Sequence, residues 1–297
     1  MKTKHIIAQL AACLLLCGTP AMGREKIEAS KKTITYELED PEVFERISLV
    51  GNGTVEYRQS TDGQTRVTVT VAENLREFLE VEVVGGILRN NWKKESDLQF
   101  IGDQKLKIVA ESPQLEMASV TGSGHIRLMS SLNTRRVAFK VAGSGNIEAR
   151  SLDIEETLNA EVVGSGDIRI TNAGAAFLSL QIAGGGTIHA EGMEVQEAKA
   201  QVTGSGSVFL KGSASKAKYE VTGSGEIHAD DMKVKNVNAQ MIGSGKIECH
   251  AVDKLTTKTI KGSGKITYSG NPSTINSNNV KKSNRKQVDT EEVIEGL

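Results

Sequence analysis

A seven-residue phrase that recurs eight times constrains the fold of this chain more than any other feature. Each copy reads apolar residue, spacer, Gly-Ser-Gly, spacer, Ile or Val, as in Val120–Ile126, and one copy has Gly185 in place of the serine. The first glycines of the copies lie at positions 122, 143, 164, 184, 204, 223, 243 and 262. A period of about 20 residues predicts a solenoid in which each repeat forms one coil.

Alternation around the repeat predicts which side chains fill the interior. Residues two apart in a strand share a face, so the Ile or Val that closes each copy and the residue two places later both point inward. The second of these rows reads Leu128, Ala149, Ile170, Ala190, Leu210, Ala229, Cys249 and Tyr268. A third inward row, two residues before each copy, includes Ala160, Leu180, Ala200 and Ala239, and the same alignment places Lys258 there. We therefore predict an all-β fold, a right-handed parallel β-helix (solenoid) with ~20-residue coils and Gly-Ser-Gly corners.

The corner glycines have a predicted conformational role. Glycine adopts positive φ without steric strain and lets stacked backbones turn closely together. We expect Gly206 to exclude valine because a β-branched residue tolerates positive φ poorly. The serines between the glycines are expected to face solvent.

The N-terminus has the pattern of a signal peptide over residues 1–23. Lys2 and Lys4 precede an apolar run, and Ala21-Met22-Gly23 supplies small residues for cleavage. An alternative is lipoprotein processing at Cys13, which follows Leu10-Ala11-Ala12. Either interpretation predicts an exported protein of the periplasm, the outer-membrane surface or the extracellular space, with no transmembrane segment after cleavage.

Three further regions follow the predicted signal. Residues 24–39 form a polar N-terminal segment, and residues 40–285 are predicted to form the β-helix, with irregular coils over 40–118 and regular repeats over 119–270. Within the irregular part, Val50-Gly51-Asn52-Gly53 resembles a degenerate corner. Residues 286–297 are expected to be a disordered tail.

Charge and cysteine content exclude some classes of protein. The formal net charge of the 297 residues is −1, and loss of Lys2 and Lys4 with the signal would make it −3. A nucleic-acid binder would carry a strong basic excess. Cys249 is the only cysteine beyond the predicted signal, so no internal disulfide is expected.

The corners and their flanking segments resemble a known family. The repeats, Phe44-Glu45-Arg46-Ile47-Ser48-Leu49, Gly85-Gly86-Ile87-Leu88 and the closing Tyr268-Ser269-Gly270-Asn271-Pro272 are similar to the head GIN domain family, whose members are described as autotransporter adhesins. The resemblance covers about residues 40–285. It implies a β-helix in an exported protein with an adhesive or envelope role, and it transfers no catalytic residues.

Motifs that would carry catalysis or bind a cofactor have simpler structural interpretations. Phosphate loops need a helix N-terminus behind the glycines, whereas these corners join strands. Calcium β-rolls need a nine-residue period with recurrent aspartate. His189 and His228 share an outward row but are two coils, ~9.6 Å, apart, which is too far to bind one metal. We expect no metal and no organic cofactor.

The main functional alternative is a β-helix enzyme acting on a polysaccharide. Such an enzyme needs clustered carboxylates in a groove, and Glu148 and Asp167 are the outward acids that would be tested first. Glu148 is flanked on its row by Arg127 and Arg169, a pattern that indicates sheet stabilisation by opposite charges. A second alternative is a periplasmic interaction module.

The last coils provide a candidate ligand patch of Lys246, Lys261 and Lys265. Like charges at successive positions of one ladder repel each other. Lysines kept at such positions indicate an anionic partner. The other interpretation is a charged cap that prevents end-to-end association, favoured by the predicted inward position of Lys258. The best prediction is a non-enzymatic envelope or surface protein, an adhesin or binding scaffold, with a glycan, envelope polymer or surface protein as partner and no nucleic acid.

Overall fold

The computed structural model describes residues 25–93, 98–101, 103–277 and 280–283. The predicted signal peptide, the Cys13 alternative and the predicted tail over 286–297 lie outside the described residues. The protein is nearly all β, with 75% of residues in strands and 2% in helix, arranged as a solenoid of about 8 turns. The all-β parallel solenoid with coils of about 20 residues is confirmed.

The first third of the chain forms short strands. They are β1 (Glu25–Glu28), β2 (Thr33–Glu37), β3 (Arg46–Gly51), β4 (Thr54–Gln59), β5 (Arg66–Ala72), a 3₁₀ helix (Glu73–Phe78), β6 (Leu79–Val84), β7 (Ile87–Trp92), β8 (Leu98–Ile101) and β9 (Lys107–Ser112). Valine and threonine dominate β5, consistent with their strand preference.

The regular repeats begin and end with short strands and have long strands between them. In chain order the strands are β10 (Met117–Gly122), β11 (His125–Leu128), β12 (Leu132–Gly143), β13 (Asn146–Gly164), β14 (Asp167–Gly184), β15 (Thr187–Gly204), β16 (Ser207–Gly223), β17 (Glu226–Gly243) and β18 (Lys246–Lys261), followed by β19 (Lys265–Ser269), β20 (Thr274–Ser277) and β21 (Val280–Lys282). The strands from β13 to β18 each follow one coil from one corner to the next. Successive strands from β12 to β18 pair in parallel, with corner glycine opposite corner glycine from Gly143 to Gly243.

Backbone hydrogen bonds connect each corner to the corner of the preceding coil. The amide of Ser144 donates to the carbonyl of Gly122 at 2.9 Å, and the amide of Asn146 donates to that of Gly124 at 3.0 Å. The pattern recurs along the array, so the Gly-Ser-Gly corners are part of the ladder. The corner serines are exposed, as predicted.

The two glycines of a corner are required for different reasons, which corrects one prediction. The first glycine has positive φ, +117° at Gly204, whereas Gly206 is not among the positive-φ residues. A Cβ on Gly206 would lie 2.5 Å from the carbonyl oxygen of Gly186 and 2.7 Å from Cγ2 of Ile182. The φ-based reason given for Gly206 is therefore wrong, and close contact with the coil beneath takes its place.

Large and small side chains alternate along the inward rows. The row from Phe139 continues through Ala160, Leu180, Ala200, Tyr219 and Ala239, all at most 1% exposed. The row that begins at Leu128 alternates in the same way up to Cys249. A large residue in one coil thus packs over a small one in the next, which fills a narrow core at the density of protein interiors.

A one-residue bulge in the last full coil overturns the predicted position of Lys258. Thr257, not Lys258, pairs with the inward Ala239, and Lys258 pairs with Gln240 on the outside. Thr257 is 5% exposed, while Lys258 is exposed. The register shifts just before the corner, where Met241 pairs with Thr259 and Ile242 with Lys261. The argument that an inward lysine favours a cap is therefore removed.

The N-terminal end combines a solenoid coil with antiparallel strands. Strand β3 pairs in parallel with β10, placing Gly51 opposite Gly122, so the degenerate corner predicted at Val50-Gly51-Asn52-Gly53 is confirmed. Beneath it, β5 pairs antiparallel with β9 and β2, and β6 pairs antiparallel with β7. These strands cover the end of the parallel stack, which would otherwise expose unpaired backbone groups.

Candidate binding faces

One outward ladder runs along the solenoid just after the corners, and each coil contributes one residue to it. Its members pair coil by coil, in the order Arg127, Glu148, Arg169, His189, Phe209, His228, Glu248 and Thr267. Glu148 lies 3.8 Å from a guanidinium nitrogen of both Arg127 and Arg169. The predicted alternation of charge is therefore an ion-pair ladder, and Glu148 has a cation on each side.

Three rings in the middle of this ladder stack on one another. The ring centroids of His189 and Phe209 are 4.7 Å apart and those of Phe209 and His228 are 4.8 Å apart, with interplanar angles of 6° and 8°. Each face of Phe209 is covered by a histidine, so Phe209 offers its edge to solvent. The stack stabilises the sheet and does not present Phe209 as a flat aromatic platform for a sugar ring.

A small polar cluster adjoins the stack. Nδ1 of His228 lies 2.6 Å from Glu248 and Nε2 lies 2.8 Å from Glu226, while Nζ of Lys246 lies 2.9 Å from Glu248. Partial burial acts to raise the pKa of the Glu248 carboxyl, but hydrogen bonds from Lys246 and His228 outweigh it and lower that pKa. Burial, together with the charge of Arg169, lowers the pKa of His189.

The three lysines predicted as a ligand patch divide between two faces. Lys246 and Lys265 are direct neighbours on one ladder. Lys261 precedes the corner and pairs with Ile242, on the face that leads into the corner. The structure thus juxtaposes two of the three residues, and the charge of Lys246 is shared with Glu248. The ligand patch remains a prediction.

A groove on the face that leads into the corner was missed in the sequence. We call it the lysine groove: its floor follows Leu178, Ala198, Ala217 and Val237, and its volume is about 650 Å³. One wall carries Phe177, Glu197, Lys216, Asn236 and Lys254, and the other carries Ser179, Lys199, Lys218, Asn238 and Thr256. The sequence does contain a signal for this groove. Lys199 and Lys218 both lie three residues before the apolar residue of a corner, so they occupy equivalent positions in neighbouring coils.

The lysine groove carries more cations than anions. Lys216 pairs with Glu197 at 2.8 Å, and Lys218 pairs with Glu220 at 2.8 Å. Within the described ranges, Lys199 and Lys254 have no carboxylate within ion-pair distance. Phe177 is 50% exposed at one end of the groove. The groove can therefore make charged, polar and apolar contacts along one line.

Cys249 occupies the interior, as its register predicts. Its side chain is 1% exposed, and burial raises the pKa of its thiol to about 12. The thiol donates weakly to the carbonyl of Thr267 at 3.6 Å. A thiol in this environment is a core residue with low reactivity.

Two searches over the described part of the chain bear on the site. No group of three or more His, Cys, Asp or Glu side chains is arranged there to hold a metal ion. Nor does any helix in that part have the length and apolar character needed to cross a membrane.

These features define a parallel β-solenoid with a filled core, whose outer ladders form long open faces. The chain belongs to the family described as "Putative auto-transporter adhesin, head GIN domain", whose model matches residues 43–206 and 162–272. The resemblance noted in the corners and flanking segments is confirmed. No curated protein shows significant similarity to the chain.

Solved structures of Parabacteroides proteins share the fold. A protein of Parabacteroides distasonis described as a "Putative lipid binding protein" is 25% identical, with a TM-score of 0.64 over 87% of this chain and 100% of that chain. A "putative adhesin" of Parabacteroides merdae is 21% identical, with a TM-score of 0.65 over 87% of this chain and 97% of that chain. A "putative adhesin" of Parabacteroides distasonis is 22% identical, with a TM-score of 0.62 over 87% and 99%.

Proposed function

We propose that the protein is an exported, non-enzymatic binding scaffold of the cell envelope or cell surface that contacts an extended polymer. The observation that carries this proposal is the arrangement of outward side chains in long parallel ladders, which presents a side chain to solvent at ~4.8 Å intervals. A polymer that repeats along its own length can contact many such groups at once. Affinity then comes from the sum of weak contacts.

Membership of an adhesin-like family supports the same proposal. The predicted signal peptide supports export, either to the periplasm or to the outer face of the envelope. The relative described as lipid-binding adds one further partner class to test. In the present chain the inward rows are filled by side chains, so a lipid would have to bind on an outer face.

The arrangement of Glu148 and Asp167, the two acids singled out in the sequence, disfavours the alternative of a polysaccharide-cleaving enzyme. Glu148 lies between two arginines, and Asp167 pairs with Asn146 and Thr187 on its ladder. General acid–base hydrolysis of a glycoside uses two carboxyl groups that face each other across the scissile bond. Glu148 lies between cations on its ladder, and Asp167 lies between neutral residues on its own ladder.

A binding array tests the proposal directly. The chain from residue 24 onward would be applied to glycans, matrix proteins and lipid vesicles, and bound polysaccharides would be analysed for shortened products. We expect retention of at least one extended polymer with its length unchanged. Depolymerisation that is lost in Glu148→Gln or Asp167→Asn would contradict the proposal, and so would failure to retain any envelope or surface polymer.

A further inference from the structure

The lysine groove has the dimensions of a site for a single extended chain. Its two walls are outward rows two residues apart on each strand, so they are separated by about 6.5–7 Å. It crosses the coils from Phe177 to Lys254, four steps of ~4.8 Å, or about 19 Å in length. It is thus long, narrow and parallel to the solenoid axis.

Only the side chains of the groove are available to bind a ligand. Backbone amides and carbonyls of the central coils are used in the parallel ladders between neighbouring strands. A peptide therefore cannot add to this face as an extra strand. Any occupant is recognised by lysine ammonium groups, side-chain amides and hydroxyls.

The excess of lysines over acids in the groove indicates an anionic ligand. Four lysines line the groove against a single acid, Glu197, and Lys199 and Lys254 form no ion pair with any residue in the described ranges. An anionic group between the walls would complement these cations. Because Lys199 is already half-buried, it is partly shielded from water and from dissolved salt.

Uncharged polar groups lie beside the lysines on both walls. Asn236 and Asn238 lie on opposite walls of one coil, and Ser179 and Thr256 line the wall that carries Lys199. Amides and hydroxyls both donate and accept hydrogen bonds, which suits a ligand rich in hydroxyl groups. Ligands that carry hydroxyls and carboxylates at regular intervals are acidic polysaccharides.

We propose that the lysine groove binds a linear anionic polysaccharide, with the lysines on its carboxylates and the asparagines on its hydroxyls. This inference rests on the proposed function, since it names the partner class and the face used. A nucleic acid is disfavoured because single-stranded binding relies on repeated aromatic stacking, and Phe177 is the one aromatic residue lining the groove among the described residues. The net charge of −1 also provides no general attraction for nucleic acid.

Matched lysine substitutions test the site. Lys199→Gln, Lys218→Gln and Lys254→Gln would be combined in one variant of the chain from residue 24 onward. The control combines Lys211→Gln, Lys233→Gln and Lys235→Gln, which removes the same charge from other faces and likewise includes one ion-paired lysine, Lys211. Binding of a fluorescent oligogalacturonate would be measured by anisotropy at several salt concentrations, and the circular dichroism melting temperature would be recorded for each protein.

We expect the groove variant to bind at least about tenfold more weakly, equivalent to about 1.4 kcal/mol, while the control stays within about twofold. Methyl esterification of the oligogalacturonate, which removes its charge without altering the protein, should weaken binding to a similar degree. Equal loss in both variants, absence of oligogalacturonate binding by the unmodified chain, or equally tight binding of a single-stranded oligonucleotide would each overturn the inference. Retention of an envelope polymer by the groove variant would reject the groove and leave the proposed function standing.

Discussion

At the scale of single residues, the corners depend on two glycines that are required for separate reasons. The first, as at Gly204, has a φ that side-chain-bearing residues rarely adopt, and the second, as at Gly206, lies against the backbone of the coil beneath. The serine between them is exposed to solvent. The glycine pair therefore determines the corner.

Substitutions at one corner should separate these roles. Gly206→Val should lower the free energy of unfolding by roughly 1–3 kcal/mol or more, because its Cβ would overlap the carbonyl oxygen of Gly186 in the coil beneath. Ser205→Ala should lower it by less than about 1 kcal/mol, since the hydroxyl is exposed. Urea unfolding measures both values, and equal losses would show that the serine determines the corner.

The thiol of Cys249 reports on the inward register. Because the side chain is 1% exposed and burial raises its pKa to about 12, a thiol reagent at pH 8 should label the native chain from residue 24 onward far more slowly than the same chain in denaturant. Absorbance of the released reporter group measures both rates. Rapid labelling of the native chain would show that the inward position assigned to Cys249 is wrong.

At the scale of elements, the repeats were predictable because the same local pattern occurs in every coil. The inward rows, the outward ladder from Arg127 and the position of Cys249 all follow from strand alternation counted from the corners. The alternation fails at the last coil, where one extra residue before Lys261 shifts the register and moves Thr257 to the inside. No local sequence signal marks that bulge, so Lys258 was assigned to the wrong side.

The other residues missed in the sequence depend on contacts between segments far apart in the chain. The antiparallel pairing of β5 with β2 and β9 joins segments that are separated by loops without turn signatures of a hairpin. The lysine groove arises only when Lys199 of β15, Lys218 of β16 and Lys254 of β18 are brought to one face.

The aromatic stack provides a test of ladder energetics. Phe209→Ala should lower the free energy of unfolding by about 1 kcal/mol or more, because each stacked aromatic pair contributes roughly 0.5–1.5 kcal/mol. Phe177→Ala is the control, since that ring is 50% exposed and its loss should change stability by at most about 0.5 kcal/mol. Similar values for the two variants in urea unfolding would show that the stack adds no stability.

The cluster around Glu248 predicts a pH dependence with a defined sign. Its pKa is lowered in the folded protein by Lys246 and His228, so the carboxylate stabilises the fold above the ordinary value of 4.5, and this contribution is lost as pH falls through the lowered pKa. Unfolding by urea between pH 5.5 and pH 3 should therefore show the advantage of the native protein over Glu248→Gln shrinking with acidification. An advantage that stays constant over this range would contradict the assignment.

At the scale of the whole molecule, the solenoid combines a closed interior with long open faces. Its core is filled by alternating large and small side chains, so binding is confined to the outer ladders. The family, the parallel ladders and the lysine groove together support a surface that holds a linear partner. Such a surface gains affinity by adding contacts along the axis.

The dependence of affinity on polymer length tests this account most directly. Isothermal titration of the chain from residue 24 onward with oligogalacturonates of increasing length should show the dissociation constant falling with each added sugar until the oligomer spans about 19 Å, four coil steps of ~4.8 Å, and then levelling off. The oligomers recovered after titration should be unchanged in length. An affinity independent of length, or recovery of shortened oligomers, would contradict a scaffold that binds an extended polymer.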